Sequence, residues 1–189
     1  MQVSVVSPPA ASEANLRPTR ILDYASERVQ AVVRRLKTSD AAGRDFLHAG
    51  YRLLREEVRP VYTVDELQPT SRTLAKGKGS CSQRFACLES LARAVGIATQ
   101  VRGLWVAGRF WNARFRLTKS FIPSRVLLAW PQFYLDEAWV SVEGLFESPE
   151  RLAERNRHGF ANDGESLFDA IAHVAPDFGD DRHMRRGGV

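Results

Sequence analysis

The stretch that most constrains the fold of this 189-residue chain covers residues 77–97. It begins Gly-Lys-Gly, continues with Ser80 and Cys81, and ends Val-Gly-Ile. Apolar residues recur at a period of about 3.6 from Cys81 onward, which predicts an amphipathic helix with Cys81 on its buried face. Gly96 stands where a glycine commonly ends a helix. We therefore expect a helix that starts at a cysteine and directs the thiol toward the protein.

The thiol of Cys81 is expected to be reactive. The start of a helix is the positive end of its dipole, and Lys76, Lys78 and Arg84 are close in sequence. Both influences favour the thiolate, so we expect the pKa of Cys81 to lie below the ordinary value for cysteine. The alternative is a buried and inert thiol, which is common for free cysteines. Cys87 lies off this face and is interpreted as a core residue.

Two amphipathic helices are predicted before this stretch. Apolar residues at helical spacing indicate one helix over residues 21–37 and a second over residues 40–58, with Asp40 as its N-cap. His48 flanks the apolar stripe of the second helix and is interpreted as a partly exposed residue without a task.

After Gly96 the apolar pattern changes to a period of two, which predicts strands. The expected strands cover residues 97–104, 111–117, 126–134 and 138–143. The second has a basic outer face, and Pro131 implies that the third is an edge strand or contains a bulge. Helices that precede an antiparallel sheet, without alternation of strand and helix, indicate an α+β fold.

The Gly-x-Cys sequence at a helix start, followed by a helix that ends Arg-Ala-x-Gly-Ile, resembles the transglutaminase-like superfamily of papain-type cysteine enzymes. Residues 128–143 look like the His-Ala-Trp…Trp…Asp hairpin of that family, with Leu128 at the histidine position and Glu143 at the aspartate position. The resemblance covers about residues 60–146. It implies a cysteine-protease-like fold, in which N-terminal helices precede a central Cys81 helix that packs on an antiparallel sheet.

The resemblance also implies roles for the site residues. In the family, cysteine attacks a carbonyl carbon, histidine moves the thiol proton to the departing amine, and aspartate orients the histidine. Leu128 can transfer no proton, so the remaining candidates beside the nucleophile Cys81 are Glu143 and Gln132, of which Glu143 could act as a base. A two-residue turn is expected to place Leu128 opposite Glu143, with both side chains facing Cys81. The alternative for Glu143 is an ion pair with Arg102 or Arg125.

Five further residues are candidates for substrate binding. They are Trp130, Gln132 and Trp139 of the hairpin, with Arg114 and Arg116 of the basic strand. Core packing is the alternative for the two tryptophans. His158 and His173 could fold back over the site to replace the missing histidine, but nothing in their spacing points to Cys81.

The charge distribution favours an anionic partner. No Asp or Glu occurs between Ser90 and Leu135, whereas the same stretch holds seven Lys and Arg residues. A solvated basic surface is the alternative. A thiol leaves readily as a thiolate, so cleavage of a thioester needs no histidine to protonate the leaving group. We therefore expect thiol-dependent acyl transfer, as amide or ester formation or hydrolysis, on a thioester carried by an acyl carrier protein or another anionic donor.

Two other classes of function remain open. A degenerate relative could keep the fold and bind an anionic ligand or partner without catalysis. Nucleic-acid binding is ranked last, because one alternating basic strand does not establish a binding platform.

Composition indicates a single cytoplasmic domain. The length fits one domain, expected over residues 19–178 between flexible tails at 1–18 and 179–189. No apolar run is long enough to span a bilayer, and no secretory signal is recognised. The two cysteines are too far apart along one helix for a disulfide, which suits a reducing compartment. Cysteines and histidines fit no metal-ligand spacing, so we expect neither a metal nor another cofactor.

Overall fold

The computed structural model describes residues 10–37, 42–63, 65, 67–112, 115, 117, 119–146 and 166–172. The helices in this part are α1 (Glu27–Leu36), α2 (Gly43–Glu57), α3 (Thr70–Lys76), α4 (Cys81–Ala94) and α5 (Leu167–Ala170). The strands are β1 (Arg59–Pro60), β2 (Lys78–Gly79), β3 (Thr99–Ala107), β4 (Arg125–Leu135) and β5 (Ala138–Ser141). Short 3-10 helices cover Glu13–Leu16, Gly108–Trp111, Lys119–Phe121 and Val142–Leu145. The chain thus combines helices with an antiparallel sheet, and the predicted α+β fold is confirmed.

Helix α4 lies at the centre of the fold. It starts at Cys81, as predicted, and contacts α1, α2, α3 and the central strand β4. Every residue from Gln83 to Ala92 is buried, so α4 is a core helix rather than an amphipathic helix with one buried face. Gly96 follows the end of the helix with a φ of 84°, a conformation that glycine adopts at little cost and that confirms the predicted stop.

The three-stranded sheet has the order β3-β4-β5, with both neighbouring pairs antiparallel. Of the two alternatives predicted from Pro131, an edge strand or a bulge, the edge strand is wrong, because β4 lies between the other two strands. The proline is tolerated because β5 pairs only with residues 132–135 of β4, so Pro131 lies one residue beyond that pairing.

The turn between β4 and β5 consists of two residues, as predicted. Asp136 and Glu137 have φ values of 48° and 61°, the left-handed conformation that suits a two-residue hairpin. The predicted pairing of Leu128 with Glu143 is wrong. The last pair of the two strands is Gln132 with Ser141, and the same register places Glu143 at the level of Trp130 rather than Leu128. Strand β5 ends at Ser141, and Glu143 belongs to the following 3-10 helix.

The strand predicted over residues 111–117 is also wrong for the residues described there. Trp111 ends the 3-10 helix Gly108–Trp111, and neither Phe115 nor Leu117 belongs to a strand. Phe110 and Trp111 are both buried and pack edge to face, with their ring centroids 5.1 Å apart. A strand directs consecutive side chains to opposite faces and cannot bury both rings in the same core, so tertiary packing overrides the alternating pattern.

The first two helices start later than predicted. Residues 21–26 precede α1 instead of belonging to it, because their polar groups bond to α3: Thr70 N–H donates to the Ile21 carbonyl at 2.9 Å. Helix α2 begins after Ala42, and the predicted N-cap Asp40 lies outside the described residues. His48 has a partner, because its Nε2 lies 2.6 Å from the Leu145 carbonyl oxygen. None of the described helices is long and apolar enough to cross a membrane.

Part of the predicted N-terminal tail is described. The 3-10 helix Glu13–Leu16 contacts β3, and Asn15 donates a hydrogen bond of 3.4 Å to the Thr99 carbonyl. The boundaries expected at residues 18 and 179 stay predictions.

Candidate functional site

A cavity of about 370 Å³ lies beside the start of α4, and Cys81 is part of its wall. The polar part of the wall comes from Thr63 and from three consecutive residues, Ser80, Cys81 and Ser82. The rest is apolar and includes Trp111, Phe115, Phe121, Ile122, Val126 and Leu128. The cavity therefore combines one nucleophilic side chain with a mostly apolar wall.

The position of Cys81 is fixed by the N-cap of α4. Ser80 Oγ accepts a hydrogen bond of 3.2 Å from the Gln83 backbone, and Gln83 Oε1 accepts one of 3.0 Å from the Ser80 backbone. This reciprocal pair is a capping box, whose signature Ser-x-x-Gln is visible in the sequence but was not used to predict the helix start. The Gln83 amide also donates to the Asp65 carbonyl, which ties the preceding loop to the same turn.

The expected depression of the Cys81 pKa is wrong. Burial raises the pKa of the Cys81 thiol and outweighs the opposing effects of backbone hydrogen bonds from Phe168 and Leu167 and of the Arg84 charge. Lys76, one of the two lysines near in sequence, is turned toward Gln68 and forms a hydrogen bond with it. Sequence proximity overstated their electrostatic effect, since solvent and orientation both weaken it.

Arg84 and Asp169 join the first turn of α4 to α5. The Arg84 side chain is fully buried, and its two terminal nitrogens donate to the two Asp169 oxygens at 2.9 and 2.8 Å. Its Nη1 also donates to Ser166 Oγ at 3.0 Å, and its guanidinium lies 4.2 Å from the Phe168 ring centroid. Burial raises the pKa of Asp169, but the hydrogen bonds from Arg84 and Ser166 lower it by a larger amount, so the net shift of this pKa is downward. These contacts fix the residues whose backbone approaches the Cys81 sulfur.

Leu128 and Glu143 differ in their relation to the cavity. Leu128 lines the same cavity as Cys81, as predicted, and in the sheet it pairs with Leu104 of β3. Glu143 is not among the described residues that line the cavity. Its two oxygens accept hydrogen bonds from the Trp130 indole and, at 2.6 Å, from the Ser141 hydroxyl. The role of Glu143 as a base stays a prediction.

The three hairpin residues predicted to bind substrate have partners away from the cavity wall. Trp130 is buried and packs edge to face on Phe85, with ring centroids 5.4 Å apart. Gln132 accepts a hydrogen bond of 2.9 Å from Gln100. Trp139 is half-buried and packs against Tyr134. The binding roles of these three residues stay predictions. Arg114 and Arg116, and the two alternative histidines His158 and His173, lie outside the described residues.

The aromatic wall of the cavity was missed in the sequence. Trp111 and Phe115 were assigned to a strand, whereas their rings belong to the cavity. Gly108 makes this wall possible: a Cβ atom at this position would lie 1.8 Å from the Pro123 carbonyl oxygen. The Gly108 N–H donates to the Ser124 carbonyl at 2.8 Å, so the 3-10 helix and the loop that carries Phe121 are held together. The density of aromatic residues between 110 and 121 was the available signal.

Among the described residues, no group of three or more His, Cys, Asp or Glu side chains is placed to hold a metal ion. The reactive group in the described wall of the cavity is the thiol of Cys81.

Comparison with known proteins identifies the family. The model of the family described as "Transglutaminase-like superfamily" matches residues 27–144, which include Cys81, Leu128 and Glu143. No curated protein and no solved structure matched the chain. The chemistry of this superfamily is, in general terms, cysteine-based acyl transfer or hydrolysis. The chain belongs to the transglutaminase-like superfamily.

Proposed function

We propose that this protein is a thiol-dependent acyltransferase or hydrolase in which Cys81 attacks an activated acyl group, and that the group is a thioester. One observation carries the proposal: Cys81 and Leu128 share one cavity, and Leu128 cannot transfer a proton. Amide cleavage requires a proton on the departing amine. A thioester has a leaving group that departs without one, so it is the substrate class that suits a wall whose described residues include no histidine.

The first step, transfer of the acyl group from the thioester to Cys81, requires no added acid. The Cys81 sulfur forms a bond to the carbonyl carbon, the carbon–sulfur bond of the thioester breaks, and the proton lost by Cys81 ends on the released thiol. Burial raises the pKa of Cys81, so the thiolate is scarce at neutral pH. Each thiolate is a stronger nucleophile for the same reason, which partly offsets its scarcity.

The second step passes the acyl group from Cys81 to an amine, an alcohol or water. We assign Glu143 as the base that removes a proton from this acceptor. Replacement Glu143→Gln should then slow release of the acyl group more than its capture, so acylated protein should accumulate. Equal slowing of both steps would instead indicate that Glu143 only supports the hairpin through Trp130 and Ser141.

The donor in this proposal is an acyl carrier protein or a similar anionic carrier, in a biosynthetic acyl transfer. Its support is the long stretch without Asp or Glu, in which Arg109 and Arg125 are exposed and Arg102 is half-buried. Capture from a carrier protein should weaken as salt is added, because screening shortens the reach of the basic surface. Capture from a free pantetheine thioester should change much less. A reducing, cytoplasmic location is part of the proposal, since both cysteines are free.

The competing proposal is a binding protein without catalysis. The raised pKa of Cys81 favours it, because an unionised thiol is inert. In that case the cavity would hold a ligand that leaves unchanged.

A matched pair of substrates separates the two. A pantetheine thioester and the amide with the same acyl group would be incubated with wild type and with Cys81→Ala, and released product measured by chromatography. The acyltransferase proposal expects thioester turnover by wild type, none above background by the variant, and little turnover of the amide. Equal rates with wild type and Cys81→Ala would refute it.

A further inference from the structure

The wall of the Cys81 cavity restricts the charge of its ligand. None of the described residues that line the cavity carries a charged side chain. A charged group packed against these residues would lose its hydration without gaining a partner from them, which is unfavourable. The described wall therefore favours a ligand whose buried part is uncharged.

The polar and apolar residues of the wall come from different parts of the fold. The aliphatic hydroxyl groups and the thiol belong to Thr63 and to the start of α4, whereas the large apolar side chains belong to residues 111–128 and to the ring of Tyr62. An acyl group has the same division, with one polar carbonyl and an apolar chain. Its carbonyl matches the Cys81 end, and its chain matches the wall formed by Trp111, Phe115 and Val126.

The volume admits an acyl group of moderate size. About 370 Å³ lies within the range of pockets that hold small organic ligands. An acyl group of about eight to ten non-hydrogen atoms fits in this space and leaves room for the attacking sulfur.

Exposed aromatic surface at the cavity gives the apolar ligand a driving force. Phe121 lines the cavity and is 88% exposed, and Tyr62, which packs edge to face on Phe115, is 48% exposed. The two exposed rings lie on the same cavity, whose other described lining residues are mostly apolar, so they add to one continuous apolar surface. A bound apolar chain would remove part of both rings from water, which favours binding in proportion to the area covered.

We infer that the cavity binds an uncharged, apolar acyl group of about eight to ten non-hydrogen atoms, aliphatic or aromatic, with its carbonyl at Cys81. This inference rests on the proposed function for the carbonyl position, but the apolar binding does not depend on catalysis.

The test compares acetyl-, octanoyl-, benzoyl- and succinyl-pantetheine as acyl donors to the wild-type protein. Octanoyl should acylate Cys81 at least about thirtyfold faster than acetyl, because each buried methylene favours the bound state, and benzoyl should bind more tightly than acetyl because its ring is buried. Succinyl, which carries a carboxylate, should be slower than octanoyl by a similar factor. A rate independent of the acyl group would overturn the inference, even if Cys81 is acylated.

A pair of neighbouring variants locates the site. Val126 lies on the cavity wall, whereas Leu127 is 55% exposed and does not line the cavity. Val126→Trp fills the cavity and should reduce octanoyl capture about tenfold, and Leu127→Trp should leave it within about twofold of wild type. Equal effects of the two variants would contradict the inference. The comparison of acyl groups on wild type needs no variant to fold.

Binding without chemistry separates this inference from the proposed function. Cys81→Ala has no nucleophile, so calorimetric titration with octanoyl-pantetheine and acetyl-pantetheine measures affinity alone. Tighter binding of the octanoyl compound, lost in Cys81→Ala/Val126→Trp, would support the inference even if wild type is never acylated. Acylation of wild type without any preference in affinity would leave the proposed function standing and reject the apolar ligand.

Discussion

Arg84 and Asp169 form a buried two-point ion pair, with nitrogen–oxygen distances of 2.9 and 2.8 Å, between the first turn of α4 and α5. Arg84 is fully buried and follows Cys81 by one turn of the helix. The pair therefore connects the stability of the core to the surroundings of the nucleophile.

Replacement Asp169→Asn should lower the free energy of unfolding by about 3–5 kcal/mol, because it leaves the buried Arg84 charge without its counter-ion. Urea unfolding followed by circular dichroism measures this loss. The matched control is Glu57→Gln, which removes an exposed ion pair with Arg35 and should cost less than about 1 kcal/mol. Similar losses for the two variants would mean that burial of Arg84 is not what makes its ion pair important.

The alkylation of Cys81 by iodoacetamide should depend on pH in a defined way. Burial raises the pKa of the thiol, so the rate at pH 7.5 should be below that of a free cysteine and should keep rising above pH 9. Cys87 is an internal control, because it is completely buried and should stay unlabelled in the folded protein. A rate for Cys81 that reaches a plateau below pH 8 would show a depressed pKa and contradict this view of the site.

Glu89 should make the protein less stable as pH rises. Burial raises the pKa of Glu89 from 4.5 to about 7, although hydrogen bonding by Thr99 and the charge of Arg93 oppose the shift. The folded protein then holds this proton more tightly than the unfolded chain does. Its contribution is complete below pH 4.5 and is lost as pH rises to about 7, which amounts to about 3 kcal/mol.

Urea unfolding of wild type and Glu89→Gln from pH 4.5 to 8 measures this contribution as the difference between the two curves. The difference should change across the window, since glutamine does not titrate. Parallel curves for Glu89→Gln and wild type would show that Glu89 stays ionised throughout.

Replacement Gly108→Ala should damage the cavity more than the core. The new Cβ would overlap the Pro123 carbonyl oxygen, so the loop that carries Phe121 must move. We expect a loss of about 1–3 kcal/mol in stability together with loss of any preference for octanoyl over acetyl donors.

Gly103→Ala is the control for Gly108→Ala, because its Cβ would meet only the exposed side chain of Leu127, at 3.1 Å. It should keep both the stability and the acyl preference of wild type. An unchanged octanoyl preference in Gly108→Ala would show that this loop is not part of the binding wall.

The sequence was most informative where structure depends on near neighbours. The helix that starts at Cys81, its stop at Gly96 and the turn at Asp136 and Glu137 all follow from local patterns, and all are present. The position of Glu143 was missed because a hairpin register must be counted from the turn, and an error of two residues replaces Trp130 by Leu128.

Contacts between distant residues could not be predicted. Arg84 and Asp169 are 85 positions apart, and no local sequence pattern predicts that the Asp169 carboxylate neutralises the Arg84 charge. The cavity wall also depends on such contacts. Gly108 packs closely against Pro123, and this contact holds the loop that carries Phe121 at the same cavity as Cys81. Burial of Cys81 belongs to the same class, and it reversed the pKa shift expected from neighbouring charges.

The measurement that tests the central claim most directly is peptide mapping by mass spectrometry after incubation with octanoyl-pantetheine. We predict an octanoyl adduct on Cys81 in wild type and more of it in Glu143→Gln, with none on the buried Cys87 and none in Cys81→Ala. An adduct of equal yield in wild type and Cys81→Ala would contradict the claim that Cys81 is the acyl-accepting nucleophile. The absence of both an adduct on wild type or Glu143→Gln and Cys81-dependent turnover, with any thioester at any pH up to 9.5, would contradict it as well.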